Sequence, residues 1–331
     1  MEPPIRVGVV GVGSLGFHHA RLLKEIPGVE LAGIHDTNPD RLAEVAATLG
    51  VRAVSGLDAL LAEVDAAVVA VPTSAHEAVA CAALGRGVHV LIEKPIAPTL
   101  EAADRILDTA AVAGALVQIG HVERFNGALR ACEPYLDEPL FIESHRLASF
   151  GVRGTDVAVV LDLMIHDLDL VLSLVSRPVT SIAAVGVPVL TESPDIANAR
   201  IEFDGGGVAN LTASRVSLDR MRKIRFFQPS GYISLDLAAG VGEFLRVRPG
   251  ISFEPGVPFG ADSLDAIVER VPLRGDGREP LRCELESFVE AVRGRAPVAV
   301  SGEDGRRALA VALEIVQRIE QHVAHTSTSG S

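Results

Sequence analysis

Ile5-Arg-Val-Gly-Val-Val10-Gly11-Val12-Gly13-Ser14-Leu15-Gly16 runs from a β-branched apolar segment straight into a glycine loop. Ile5 to Val10 reads as a short buried strand, and Phe17 to Lys24 reads as the helix that follows. Between strand and helix the three glycines have separate tasks. Gly11 permits a tight turn, Gly13 lets backbone approach a pyrophosphate, and Gly16 lets helix and strand pack closely. Val12, Ser14 and Leu15 complete a loop whose N–H groups would meet phosphate at the helix N-terminus. Asp36 ends the next strand, Val29 to Ile34, where a carboxylate accepts hydrogen bonds from an adenosine ribose and repels a 2′-phosphate. That favours NAD over NADP. Arg41 lies close enough to leave a 2′-phosphate open, and Asp36 also has the simpler reading of a cap for the turn before Asn38-Pro39.

Working outward, the same rhythm repeats. Strands at Ala66–Val71, Val88–Ile92 and Leu116–Ile119 alternate with helices at Arg41–Leu49, His76–Leu84 and Thr99–Ala113. Alternation of this kind implies a doubly wound parallel sheet, the Rossmann arrangement, over residues 1–121. From His121 onward longer strand-like stretches follow: Phe141–Ser149, Thr180–Val189, Asn198–Phe203, Val208–Val216, Lys223–Gln228 and Gly231–Leu237. Helices at 162–175, 280–293 and 303–323 accompany them. The expectation is an α/β second domain over 122–324, built on a large, mostly antiparallel open sheet, with 325–331 as a flexible polar tail.

A length of 331 residues suits two such domains, and 48% hydrophobic residues suffice for their cores. The net charge of −13 argues against a nucleic-acid or anionic-membrane binder, since both present phosphate of the same sign. Cys81, Cys132 and Cys283 are few and widely spaced, the pattern of a reduced compartment without a zinc motif. With no leader-like N-terminal segment and no long apolar run, the expected address is the cytoplasm.

Glu93-Lys94-Pro95 stands at the end of a predicted parallel strand, where open α/β sheets bind ligands. A lysine there can stabilise the oxyanion that develops on a hydroxyl as hydride leaves, and Glu93 can orient it or face the nicotinamide. A surface Glu-Lys pair before a loop is the plain alternative. Further on, Asp162, His166, Asp169 and Ser173 fall on one face of a helix that is otherwise apolar. Asp162, one turn before His166, is placed to orient its imidazole or raise its basicity. Two other readings compete: a helix cap with a satisfied core histidine, and a metal site from His166, Asp167 and Asp169. No other ligand cluster supports the metal, so none is expected.

GVGSLGFHHA followed by VPTSAHEAVACAALGRGVHVLIEKP resembles the family of glucose-fructose oxidoreductase, inositol dehydrogenase and their relatives, over nearly the whole chain. The resemblance implies that Pro72, Thr73 and His76 border the cofactor and that Lys94 is the catalytic lysine. It implies that the Lys94–Pro95 peptide is often cis, and that an Asp-x-x-x-His pair, here Asp162 and His166, follows the lysine. Relatives usually carry glycine where this chain has Met164. His121-Val-Glu-Arg-Phe-Asn126, DLMIHDLD and RVSLDRMRKIRFFQ are most similar to the branch of UDP-N-acetylglucosamine 3-dehydrogenases. That branch implies a 3-keto product passed to an aminotransferase for diamino sugars of the lipid A type.

On this basis His121 and Glu93 join the cofactor set, and Arg124 and Arg153 join Asp162 and His166 at a UDP-sugar. Arg215, Arg220, Arg222, Lys223 and Arg225 form a basic cluster able to meet a diphosphate, or equally an alternation of charge on an exposed sheet. The resemblance implies that the open sheet makes a homodimer or homotetramer. Competing functions are a dehydrogenase of a free polyol or monosaccharide, a non-catalytic NAD sensor, and a redox-assisted glycosidase.

Overall fold

A computed structural model describes residues 3–151, 158–248 and 267–328. The chain divides into two units. One comprises Met1–Val122 with Glu279–Ala310, the other Glu123–Arg278 with Val311–Ser331.

In the first unit, β1 (Ile5–Val10), β2 (Val29–His35), β3 (Ala66–Val69), β4 (His89–Glu93) and β5 (Val117–Gly120) form a parallel sheet in the order β2-β1-β3-β4-β5. Such strands are covered on both faces, so they read as continuous apolar runs; Ala66, Ala67, Val68 and Val69 are all fully buried. The helices are α1 (Ser14–Leu23), α2 (Pro39–Leu49), the short α3 (Leu57–Leu61), α4 (His76–Leu84) and α5 (Leu100–Ala113). Asn38 caps α2 by accepting from the Asp40 and Arg41 N–H groups, Pro39 supplies the first helical position, and Gly50 ends it in the left-handed region. Because β2 and β3 flank β1 on opposite sides, the direction of winding reverses at the carboxyl end of β1, where the glycine loop stands.

The second unit carries β6 (Phe141–Leu147), β7 (Val179–Val187), β8 (Ile196–Phe203), β9 (Val208–Ser214), β10 (Met221–Gln228), β11 (Gly231–Asp236), β12 (Val241–Val247) and β13 (Val268–Arg274). They make one sheet in the order β13-β12-β11-β10-β6-β9-β8-β7, antiparallel except for the β6–β9 pair. Strict alternation places Ile142, Ala209, Leu211, Ile224, Phe226 and Ile233 on a buried face, which α6 (Gly127–Cys132) and α7 (Ile165–Leu174) cover. The opposite face shows Phe141, Phe227 and Tyr232 in an aromatic row, with Val185, Val187, Val241 and Val247 exposed around it.

Three expectations are corrected. The segment 279–310 belongs to the first unit, although 122–324 was expected to form the second. The reason is apolar burial: Leu285 and Phe288 of α8 (Pro280–Val292) are fully buried in the same core as Val7, Leu22, Leu23 and Ile34. Each such side chain stabilises by roughly 1.5–3 kcal/mol. The expected tail at 325–331 is helical as far as Thr328, within α9 (Gly302–Thr328). The stretch opening at Asp162 is not wholly α-helical either: Val160–Met164 forms a π-turn that leads into α7.

Candidate active site

Gly11 has φ +85°, and a Cβ there would lie 2.6 Å from the Ala70 carbonyl oxygen, so only glycine makes this turn. A Cβ on Gly16 would overlap the Gly11 carbonyl, which is the close helix–strand packing expected of it. Gly13 differs: a Cβ there would meet no atom within 4 Å. It is also the N-cap of α1, and no side chain caps that helix. An unhindered glycine at an uncapped helix N-terminus is the cradle a pyrophosphate requires, so the residues present fit a dinucleotide.

Asp36 braces the loop from the side. Its Oδ2 accepts from the Val12 N–H at 2.8 Å and its Oδ1 from the Asn38 N–H at 2.8 Å. These contacts are those of the turn-capping reading, and they leave the carboxylate standing just past the end of β2. Arg41 donates through Nε to the Val12 carbonyl at 2.9 Å and pairs with Glu44 at 2.8 Å. Val12 therefore has its N–H and its carbonyl both tied by side chains, which fixes the loop before any ligand arrives.

Lys94 follows directly on the carboxyl end of β4, and the Lys94–Pro95 peptide is cis. His76 explains how the corner is held. Its Nδ1 lies 2.9 Å from the Pro95 carbonyl and its Nε2 3.0 Å from the Val71 carbonyl, linking the loops after β3 and β4. Burial pushes the His76 imidazole below its ordinary pKa, against the pull of those carbonyls and of Glu93. His76 is thus a buried brace behind the corner. Pro72 and Thr73 lie in the segment between β3 and α4, where Thr73 opens a short 3-10 turn, and His121 is buried immediately after β5.

Glu93 has a partner that sequence reading did not single out. Its Oε1 meets Nε2 of His19 on α1 at 2.8 Å, and its Oε2 accepts from the Lys94 N–H at 3.2 Å. Burial works against the charged carboxylate, but His19, the Lys94 charge and the Lys94 N–H outweigh it and hold Glu93 below the usual carboxylate range. The available signal was His19's place beside Gly16, Ala20 and Leu23 on the buried face of α1, since a polar group there needs a partner.

In the second unit, Asp162 lies in the π-turn and His166 in the first turn of α7, both half-buried, while Asp167 and Asp169 are buried. The two buried acids are committed to cations. Asp169 takes Nε and Nη2 of Arg124 at 2.6 and 2.8 Å. Asp167 takes Arg146 at 2.7 Å, and Arg146 reaches Glu123 at 2.9 Å as well. Burial opposes the Arg146 charge, but Asp167 and then Glu123 outweigh it and hold the guanidinium above its ordinary pKa. This arrangement removes Asp167 and Asp169 from the metal reading, and no cluster able to hold a metal occurs among the described residues. Arg124 is thereby held bidentately from within its own unit. Arg153 lies outside the described residues.

The basic cluster is dispersed by the pleat and by ion pairing. On β10, Arg222 points to the helix-covered side, 3.7 Å from Glu123, whereas Arg225 is on the open side, 3.1 Å from Glu143. Arg215 is buried against Asp195 at 2.8 Å. Alternation of charge, one of the two readings of that stretch, describes it.

Comparison with known proteins follows the same division. Residues 5–121 match the model of an oxidoreductase family with an NAD-binding Rossmann fold, and residues 117–233 match the GFO/IDH/MocA C-terminal domain. UDP-N-acetylglucosamine 3-dehydrogenase of Acidithiobacillus ferrooxidans is 39% identical over 318 residues, covering 96% of this chain and 97% of that one. A solved structure of that dehydrogenase superposes with a TM-score of 0.87 at 38% identity, covering 97% and 99% of the two chains. Myo-inositol 2-dehydrogenase of Thermotoga maritima is 26% identical over 339 residues, covering 96% and 97%. The chain belongs to this family of NAD-binding oxidoreductases, and it is an oxidoreductase that uses a nicotinamide cofactor.

Proposed function

We propose that the protein oxidises the C3 hydroxyl of UDP-N-acetylglucosamine to a ketone with NAD⁺. The observation that carries the substrate is the full-length similarity to the Acidithiobacillus enzyme, against a lower identity to inositol dehydrogenases. Asp36 supports NAD over NADP by its charge at the end of β2, and Arg41, engaged with Val12 and Glu44, is already occupied.

Bound NAD⁺ supplies the hydride acceptor. The chain's own groups do the rest of the work in this proposal. His166 takes the hydroxyl proton, Asp162 orients its imidazole, and Lys94 donates to the oxygen as negative charge develops on it. His76 ties the loops after β3 and β4 together beside Lys94, and Pro72, Thr73, His76 and His121 border the cofactor. Arg153 meets the diphosphate, with Arg124 positioned by Asp169. The ketone would serve an aminotransferase in the synthesis of 2,3-diamino sugars of the lipid A type. The reaction is assigned to the cytoplasm; among the described residues no helix is long and apolar enough to cross a membrane. The aromatic and aliphatic open face of the second sheet is assigned to a homodimer or homotetramer.

NADH formation with UDP-N-acetylglucosamine, free N-acetylglucosamine and myo-inositol tests the reading. It expects kcat/KM for the UDP-sugar at least about a hundredfold above the others, since the diphosphate supplies binding that free sugars lack. Equal or better turnover of inositol would give the reaction to a free polyol, and cofactor binding without turnover of any substrate would make the protein a sensor.

A further inference from the structure

α7 carries His166 on a helix that is otherwise largely apolar, with Ile165, Leu168, Leu170, Val171 and Leu172 buried. Apolar packing has no direction, so it holds such a helix against the sheet but resists rolling about its axis only weakly. Asp167 and Asp169 break that smoothness. At about 100° per residue they stand on either side of His166, about 100° ahead of it and about 60° behind. Both carboxylates are almost wholly buried, and each is gripped by a guanidinium.

The two grips are forks, not single contacts. Arg124 closes on Asp169 through Nε at 2.6 Å and Nη2 at 2.8 Å. Arg146 of β6 closes on Asp167 through Nε at 3.1 Å and Nη2 at 2.7 Å, while its Nη1 donates to Glu123 at 2.9 Å. Glu123 is itself steadied by the Asn126 amide at 3.1 Å, and that amide also donates to the Leu237 carbonyl at 2.9 Å. Buried ion pairs add little stability over apolar side chains of equal volume, and their best-attested use is to fix register. Register matters here. Side-chain tips stand about 5–6 Å from a helix axis, so a roll of about 10° displaces the imidazole by about 1 Å. A displacement of that size can cost a reaction about a hundredfold. The π-turn at Val160–Met164 interrupts the regular helical register just before His166, which leaves the roll to α7's own contacts.

We propose that Arg124 and Arg146 are positioning residues for His166: gripping Asp169 and Asp167 on its two sides, they fix the roll of α7 and so the direction of the imidazole. Both act through the helix, and Glu123 serves by holding Arg146 in place. The proposal rests on the part given to His166 in the reaction and deepens it.

Arg124→Lys and Arg146→Lys in the whole protein test it, since lysine keeps the charge and loses the fork. In each, kcat for UDP-N-acetylglucosamine should fall at least about tenfold, with the KM of the sugar and the Kd of NAD⁺ within about twofold of wild type. The ring of His166 reports the cause without any ligand. In protein carrying isotope-labelled histidine, its magnetic resonance signal, identified by its loss in His166→Gln, should move in both variants while circular dichroism is retained. Guanidinium added to Arg124→Ala should raise kcat at least about fivefold, and sodium at equal ionic strength should not. Normal kcat in both lysine variants, an unmoved His166 signal, or a rise in KM alone overturns the proposal; the last would make Arg124 a substrate ligand. Should Arg146→Lys fail to fold, Arg124→Lys and the guanidinium rescue still decide. If the wild-type protein oxidised no UDP-sugar, the functional reading would fall, and the His166 signal would still decide whether the two arginines hold the ring.

Discussion

Gly13 and Gly16 differ in what an added side chain would meet, so stability and binding can be tested separately within one motif. A methyl group at Gly16 collides with backbone, whereas one at Gly13 enters open space. Gly13→Ala should leave stability within about 1 kcal/mol of wild type by urea unfolding, yet weaken NAD⁺ binding at least about tenfold, because the methyl occupies the pyrophosphate's place. An unfolded protein or an unchanged Kd would each contradict this. His76 makes a prediction in pH. Its folded pKa is lowered by burial, so below the ordinary histidine value the unfolded chain binds the extra proton more readily. The contribution is complete above about pH 6.5 and is lost as pH falls, with a slope of at most about 1.4 kcal/mol per pH unit. His76→Gln should flatten that part of the stability–pH curve; a curve unchanged by the substitution would refute the assignment. At this scale the places of Gly11, Gly13, Asp36 and Lys94 just beyond strand ends were legible, since motif and strand end coincide. The sequence hid His19, because Glu93 is a distant position that only the fold brings near.

Elements were legible wherever periodicity was undisturbed. The parallel strands appear as apolar runs, and six of the strands in the second sheet appear as alternation. β12 and β13 escaped notice because Gly242, Pro272 and their interspersed charges blur the period of two. The π-turn at Val160–Met164 escaped because an uninterrupted apolar run looks the same in α and π form. Two predictions belong here. Removing Arg146 strands Asp167 and Glu123, so Arg146→Met should cost about 3–5 kcal/mol in urea unfolding. A loss below about 1 kcal/mol would mean the pair is hydrated and inconsequential. In α8, Phe288→Ala opens the core around Val7 and Leu23 and should cost about 3–5 kcal/mol. A chain ending at Arg278 should then fail to yield a stable nucleotide-binding unit, and normal NAD⁺ affinity in that truncated protein would contradict the shared core.

At the scale of the whole molecule, the order of motifs was enough to place the chain in its family, while the route by which 279–310 returns to the first unit was not. The polar surface of α8 resembles any amphipathic helix, and its buried stripe does not announce which sheet it covers. The open face of the second sheet carries the remaining expectation. If Phe227, Val185 and Val187 lie in a subunit interface, Phe227→Asp combined with Val187→Asp should lower the mass seen by light scattering to that of one chain, with secondary structure retained. An unaltered mass would place the interface elsewhere.

The account depends on Lys94 and His166 serving one reacting carbon, and isotope transfer reads that event directly. UDP-N-acetylglucosamine carrying deuterium at C3 is incubated with NAD⁺, the protein and a carbonyl trap, and the nicotinamide product is weighed. The expected result is deuterium in the reduced cofactor from C3-labelled substrate, none from C4-labelled substrate, and loss of at least about a thousandfold in rate for Lys94→Ala and for His166→Ala, with NAD⁺ binding retained. Deuterium arriving from another carbon, or near-normal transfer by either variant, would contradict it.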